Sequence, residues 1–209
     1  MEHQQEHRLL DAARALGPPL EITDWSLDRD ALELVLAEVD AGARTIVECG
    51  SGVSTILIGR MLRARGRGSL CSLEHDPNWV ATGHARIAAE GLDAYVRIIE
   101  APLEPDPRAA EGCPWYARSS LAELPEGGVD LLLVDGPPAP AGSLERSRYP
   151  ALPVLAPRLA ATARLLLDDA ERAGEAWVLE RWLQEFRLNG LRRSGALALA
   201  WLSAPAMNL

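Results

Sequence analysis

No lysine occurs in this chain of 209 residues; all 21 of its lysine-or-arginine positions are arginine. We read this as the codon habit of a GC-rich genome, but it also constrains chemistry. A lysine general base and a lysine Schiff base are excluded, and so is a P-loop, which needs lysine after its last glycine. Cysteine is scarce. Cys49, Cys71 and Cys113 form no C-x-x-C pair and no zinc spacing. They read as two small buried hydrophobes in strands and a free thiol in a loop. Apolar runs stay well short of the roughly 20 residues that span a bilayer. The first residues, Met1 to Arg8, are polar and hold no apolar core of a signal peptide. The expectation is a cytoplasmic location without membrane contact. Positive charge is also in deficit. The formal net charge of -9 argues against a nucleic-acid backbone as partner, since phosphate binding calls for a basic surface.

The length suits a single domain over 1–209, with an N-terminal helical segment over 1–40 and a core over 41–209. Short, nearly continuous apolar runs at Arg44–Cys49, Ser69–Glu74, Val96–Ile99, Val129–Val134 and Ala163–Leu167 read as parallel strands covered on both faces. Helical patterns alternate with them at Ser54–Arg65, Pro77–Glu90, Tyr149–Leu159 and Glu171–Phe186. Two more precede the first strand: Glu6–Leu16, and Leu27–Val39 with Ser26 or Asp28 as its cap. Leu191–Ser194 and Leu197–Leu202 read as a closing hairpin. The succession predicts an α/β fold with a doubly wound, mostly parallel sheet and an antiparallel C-terminal strand. Ala101–Arg118, rich in Pro, Gly, Asp and Glu, is the one long irregular stretch. It reads either as a loop bordering a site or as flexible filler.

The candidate site starts at Thr45–Thr55, a buried strand followed by Glu48, Gly50, Ser51 and Gly52 and then a helix. The glycines allow a tight turn and let a ligand approach the backbone. A dinucleotide site would carry a third glycine where this chain has Thr55. An acid ahead of G-x-G suits a ligand with a cationic amino group, such as S-adenosylmethionine. Acids recur at the other strand ends: Glu74, Asp135 in Val134-Asp135-Gly136, and the pair Asp168-Asp169. Ligands of open α/β sheets bind beyond those ends.

From about Leu27 to Leu202 the chain resembles the class I S-adenosylmethionine-dependent methyltransferases. The resemblance is carried by Glu48-Cys49-Gly50-Ser51-Gly52, Ser72-Leu73-Glu74-His75-Asp76, Leu132-Leu133-Val134-Asp135-Gly136 and Leu166-Leu167-Asp168-Asp169. The nearest likeness is to a bacterial branch similar to metal-dependent O-methyltransferases of the catechol type. It implies a Rossmann-like domain and S-adenosylmethionine as cofactor. Glu48 would meet the methionine amino group, directly or through water, and Gly50, Ser51 and Gly52 would line the methionine part. Glu74 would accept from both ribose hydroxyls, and His75 would pack beside adenine. Ala101, in Glu100-Ala101-Pro102-Leu103, would lie under the adenine edge, although the family's usual acid is replaced there by Pro102. The implied reaction is transfer of the sulfonium methyl to a small-molecule hydroxyl. The relatives' lysine base is missing after the fourth strand, so either Asp135 or a metal-bound hydroxide would take the proton, or the nucleophile is already deprotonated.

Plainer readings stand beside these. Glu48 can be a polar turn residue, and His75 a packing or solvent residue. Asp76-Pro77 has a sufficient reading as N-cap and first-turn proline. Asp168 with Glu171 has the spacing of a capping box. Asp135, Asp168 and Asp169 together instead suit Mg²⁺, which takes hard oxygen ligands. His3 and His7 have ligand spacing, but on a terminal segment. Trp25, Trp115, Tyr116, Arg146, Arg148 and Tyr149 are candidates for a substrate wall. The rival functions are an NAD-type oxidoreductase and a non-catalytic cofactor-binding protein. Titration with each cofactor separates the first, and a methyl-transfer screen the second.

Overall fold

The computed structural model describes residues 7–23, 25–109 and 112–202. His3, one of the paired histidines, lies outside them. Helices α1 (Arg8–Ala15) and α2 (Arg29–Ala41) come first. Asp28 caps α2, its carboxylate accepting from the Ala31 amide at 2.7 Å. Ala31, Leu32, Val35, Leu36 and Val39 then fall on one buried stripe at helical spacing.

Strand β1 (Thr45–Cys49), helix α3 (Val53–Arg65), strand β2 (Ser69–Glu74), helix α4 (Pro77–Glu90) and strand β3 (Val96–Glu100) follow in alternation. Asp76 and Pro77 start α4 as a capped turn with proline at its first positions. Strand β6 (Val129–Val134), helix α6 (Ala151–Leu155), strand β7 (Leu159–Leu167) and helix α7 (Ala173–Glu185) complete the parallel part. A small antiparallel hairpin, β4 (Leu103–Pro105) with β5 (Pro114–Tyr116), and a short helix α5 (Arg118–Leu121) stand between β3 and β6. The main sheet has the order β3-β2-β1-β6-β7-β9-β8, with β8 (Leu188–Ser194) and β9 (Leu197–Leu202). β9 runs antiparallel to β7 and to β8, so the expected closing hairpin is present.

Alternate residues along each strand feed opposite layers, as the two-residue period requires. Ile46, Leu70, Ile98, Leu131, Leu133 and Leu166 pack with α1 to α4. Val47, Cys49, Leu73, Ile99, Leu132, Val134, Leu165 and Leu167 pack under α5, α6 and α7. Both layers are shielded from water, which is why the strands read as continuous apolar runs.

Two expectations are corrected. The helix anticipated over Tyr149–Leu159 is only α6 plus a single 3-10 turn at Ala156–Arg158, and β7 already begins at Leu159. Pro153 and Pro157 remove the amides that a longer helix needs. Within Ala101–Arg118, Trp115 and Tyr116 are core residues with 0% and 1% exposure, their rings edge-to-face at 4.8 Å. This stretch is therefore anchored by a hairpin, not loose filler. Cys113 is buried too, with its thiol donating to the Ser143 carbonyl, and all three cysteines are unpaired. Among the described residues no helix is long and apolar enough to cross a membrane.

Candidate active site

Strand register alone gathers the strand-end residues. Cys49 stands level with Leu73 of β2 and with Val134 of β6, and Val134 stands level with Leu167 of β7. The residues that follow, Gly50, Glu74, Asp135 and Asp168, therefore line one carboxyl edge. Ala101 joins them one step past the Glu74–Glu100 pair. It is buried, and its amide donates to the Glu74 carbonyl at 2.7 Å.

The two glycines of the first turn have different reasons. Gly50 has φ +90°, and a Cβ there would stand 3.2 Å from the Gly136 nitrogen. Gly136 answers it: its own Cβ would lie 2.9 Å from the Gly50 nitrogen and Cα. The turns after β1 and β6 thus touch backbone to backbone. Gly52 is in extended backbone, φ 173°, and nothing lies within 4 Å of where its Cβ would project. Neither strain nor packing demands glycine at 52, and the space beside it is open.

Glu48 faces away from that space. It shares a face of β1 with Ile46, the face covered by α3, and is 0% exposed. Its oxygens accept from the Ser54 hydroxyl at 2.5 Å and the Thr55 hydroxyl at 2.6 Å. Thr55 in turn accepts from the Gly52 amide at 2.9 Å. Glu48 therefore braces the start of α3 and the glycine turn from behind. Burial raises its pKa to about 7, against the opposing pull of the Ser54, Thr55 and Ser72 hydroxyls. A folded-state pKa above the unfolded one means stability present below pH 4.5 and lost as pH rises towards 7. The loss is on the order of 3 kcal/mol. Glu48→Gln should remove it: the variant gains stability over wild type in denaturant melts at pH 8 relative to pH 5. A difference that does not change with pH contradicts this account.

Glu74 is 4% exposed yet fully engaged. One oxygen accepts from the Ser51 amide and hydroxyl at 2.9 and 2.8 Å. The other accepts from the Asp76 amide at 2.9 Å and lies 3.0 Å from Nδ1 of His75. The second acid thus fixes the first turn, and Ser51, Asp76 and His75 between them occupy the roughly four acceptor positions of its carboxylate.

At the far side, Asp135, Asp168 and Asp169 each offer a carboxylate oxygen, and all three lie within 4.8 Å of one another. The capping reading of Asp168 is corrected: α7 begins at Ala173 after Arg172, with no side-chain cap. Arg148, only 5% exposed, reaches this cluster. Its guanidinium lies 3.0 Å from Asp169, 3.4 Å from Asp135 and 3.6 Å from Glu175. It also donates to the backbone carbonyls of Asp135 at 3.0 Å and Asp168 at 3.1 Å. Burial pushes Asp135 well above the ordinary carboxylate range; Arg148 opposes the rise, and Asp168 and Asp169 add to it. Asp168 is raised by burial and by Asp169. Burial works against the charge on Arg148, but its carboxylate neighbours outweigh it and raise its pKa.

The family comparison now adds to this geometry. A profile described as "Methyltransferase domain" matches residues 47–170, more than half of the chain. The chain belongs to the methyltransferase domain family. Its fold is that of the class I S-adenosylmethionine-dependent enzymes, and solved structures agree. A putative O-methyltransferase from Klebsiella pneumoniae is 21% identical, with TM-score 0.61, covering 94% of this chain and 89% of that one. The O-methyltransferase from Bacillus cereus in complex with S-adenosylhomocysteine is 17% identical, with TM-score 0.58 and coverage of 93% and 89%. The O-methyltransferase TomG from Streptomyces achromogenes, in complex with S-adenosylmethionine, is 16% identical, with TM-score 0.59 and coverage of 95% and 91%. At these identities the likeness is one of fold. No curated protein matches the sequence.

The substrate wall anticipated for this methyltransferase does not assemble. Trp115 and Tyr116 are core, Trp25 is 85% exposed, and Arg148 is committed to carboxylates. Arg146 stacks over Trp177 at 4.5 Å, and the Tyr149 hydroxyl donates to Glu185 at 2.6 Å. His7 pairs with Asp30 at 3.5 Å. Arg148 is the important residue whose role sequence reasoning missed. It sits in a run of turns with no periodicity to mark it. The turns are pinned to α7 by the Trp182 indole, which donates to the Tyr149 carbonyl at 2.9 Å, and by Gly174, packed against the Glu145 backbone.

Proposed function

We propose that this methyltransferase moves the methyl group of S-adenosylmethionine to a hydroxyl of a small molecule. One observation carries the reading: Glu74 and Asp135 flank the same glycine turn from opposite sides. Glu74 holds Ser51 by two bonds, and the Asp135–Gly136 backbone packs on Gly50. The cofactor, when bound, supplies an activated methyl group. Gly52 and Ser51 would line its methionine part, Glu74 would receive the ribose hydroxyls, and His75 and Ala101 would border adenine. Glu48 would support the turn from behind and meet the methionine amino group directly or through water. Asp135, a quarter exposed, would hold the acceptor hydroxyl in line and take its proton. Methyl transfer has no use for a nicotinamide, and Thr55 at the third glycine position weighs against the NAD reading.

The residues do not fit the Mg²⁺ that the catechol-type resemblance implies. Arg148 already lies against two of the three carboxylates an ion would use. The same reading takes 1–209 as one unit, since α1 and α2 share a core layer with the sheet. It also takes the enzyme as cytoplasmic, with a small-molecule partner and neither nucleic acid nor membrane, consistent with its charge of -9.

A screen of small hydroxylated metabolites, read as S-adenosylhomocysteine release, tests the reaction. Turnover with at least one hydroxyl acceptor is expected. Turnover confined to amine or thiol acceptors would contradict the hydroxyl assignment. Gly52→Asn tests the cofactor's seat. Asparagine caps helices well, so stability should hold to within about 0.5 kcal/mol. The new side chain enters the open space, so S-adenosylhomocysteine affinity should drop about tenfold, 1.4 kcal/mol. Unchanged calorimetric affinity moves the ligand off this turn.

A further inference from the structure

We propose that Arg148 is a built-in cation that takes the place of a divalent ion in the acidic cluster and positions Asp135 for its work. Four carboxyl groups meet there: Asp135, Asp168, Asp169 and Glu175. Asp168 and Glu175 are 7% and 1% exposed. Such a group of acids repels itself unless a positive charge is placed among them. Arg148 enters from the turns before α6 and contacts Asp135, Asp169 and Glu175 with one guanidinium. Its further bonds to the Asp135 and Asp168 carbonyls fix both strand ends, as well as their side chains. Arg172 adds a second, more exposed pair to Asp169 at 2.8 Å.

A guanidinium suits this task. Its planar fork offers five donors, it stays charged, and it sheds its hydration more readily than an ammonium. A magnesium ion would need the same oxygens near 2.1 Å together with its own waters. The guanidinium and the ion are therefore competitors for one place. The absence of lysine fits the same picture: the positive charge next to the strand-end acid comes instead from an arginine thirteen residues further on. The positioning of Asp135 rests on the methyl-transfer reading above, whereas the exclusion of a divalent ion does not.

The test is a titration of the full chain with Mn²⁺, followed by electron paramagnetic resonance, for wild type, Arg148→Ala and Arg148→Lys. Wild type should leave Mn²⁺ free into the millimolar range. Arg148→Ala should bind one Mn²⁺ at least about tenfold more tightly than wild type, because it bares an oxygen-only site. Adding Asp168→Ala should abolish that gain. Arg148→Lys should fall between wild type and alanine, since it keeps the charge but not the planar fork. A merely structural arginine would not create an ion site on removal. Saturable Mn²⁺ binding to wild type that Asp168→Ala removes overturns the proposal. So does a folded Arg148→Ala that gains no binding, or a lysine variant that gains as much as alanine. If Arg148→Ala is unfolded alone but folds with millimolar Mg²⁺, the ion has replaced the arginine, as proposed. If it stays unfolded with the ion, the proposal fails. No methyl acceptor enters these measurements, so a wrong assignment of the hydroxyl substrate leaves their outcome unchanged.

Discussion

Replacing Glu74 with alanine is expected to weaken S-adenosylhomocysteine binding by roughly 10- to 150-fold, or 1.5–3 kcal/mol, the range for hydrogen bonds to a charged acceptor. Two effects combine. The variant loses the acceptor proposed for the ribose hydroxyls. It also releases the Ser51 amide and hydroxyl, now held at 2.9 and 2.8 Å, and so loosens the turn against which the ligand lies. Glu74→Gln should fall between wild type and alanine, because one amide oxygen still accepts. Calorimetry on chains with matched circular dichroism separates lost binding from lost folding. Affinity equal to wild type in Glu74→Ala would remove this residue from the cofactor site.

Asp135→Asn should have the larger kinetic effect. With a hydroxyl acceptor from the screen, the turnover rate should fall by about 10²–10⁴, the usual worth of a positioned general base. Asparagine keeps an oxygen for Arg148, so the cluster and the cofactor seat should survive. The dissociation constant for S-adenosylhomocysteine should therefore stay within about twofold, a change of less than 0.5 kcal/mol. Equal losses in turnover and cofactor affinity would mark Asp135 as structural instead.

The sheet was legible because each parallel strand is covered on both faces and reads as an unbroken apolar run. The strand-end acids were legible for a related reason: register places whatever follows Cys49, Leu73, Val134 and Leu167 on one edge. The direction of Glu48 was not read from the sequence, although it lies two residues after Ile46 and the two-residue period turns both towards α3. Other features left no such mark. Strands β4 and β5 are three residues each and carry prolines, so they look like loop. Trp115 and Tyr116 resemble a pocket wall until the hairpin folds them into the core. Arg148 is one of 21 arginines, and only the docking of its loop on α7 brings it to the acids. Burial of a charge among distant strand ends is a tertiary event, which local pattern does not encode.

The central claim is that the turn between Glu74 and Asp135 seats S-adenosylmethionine. Calorimetric titration of the wild-type chain with S-adenosylhomocysteine, and separately with NAD, tests it most directly. The account predicts saturable one-to-one binding of S-adenosylhomocysteine, weakened in Gly52→Asn, and no binding of NAD. Saturable binding of NAD, or S-adenosylhomocysteine binding untouched by Gly52→Asn, would contradict it.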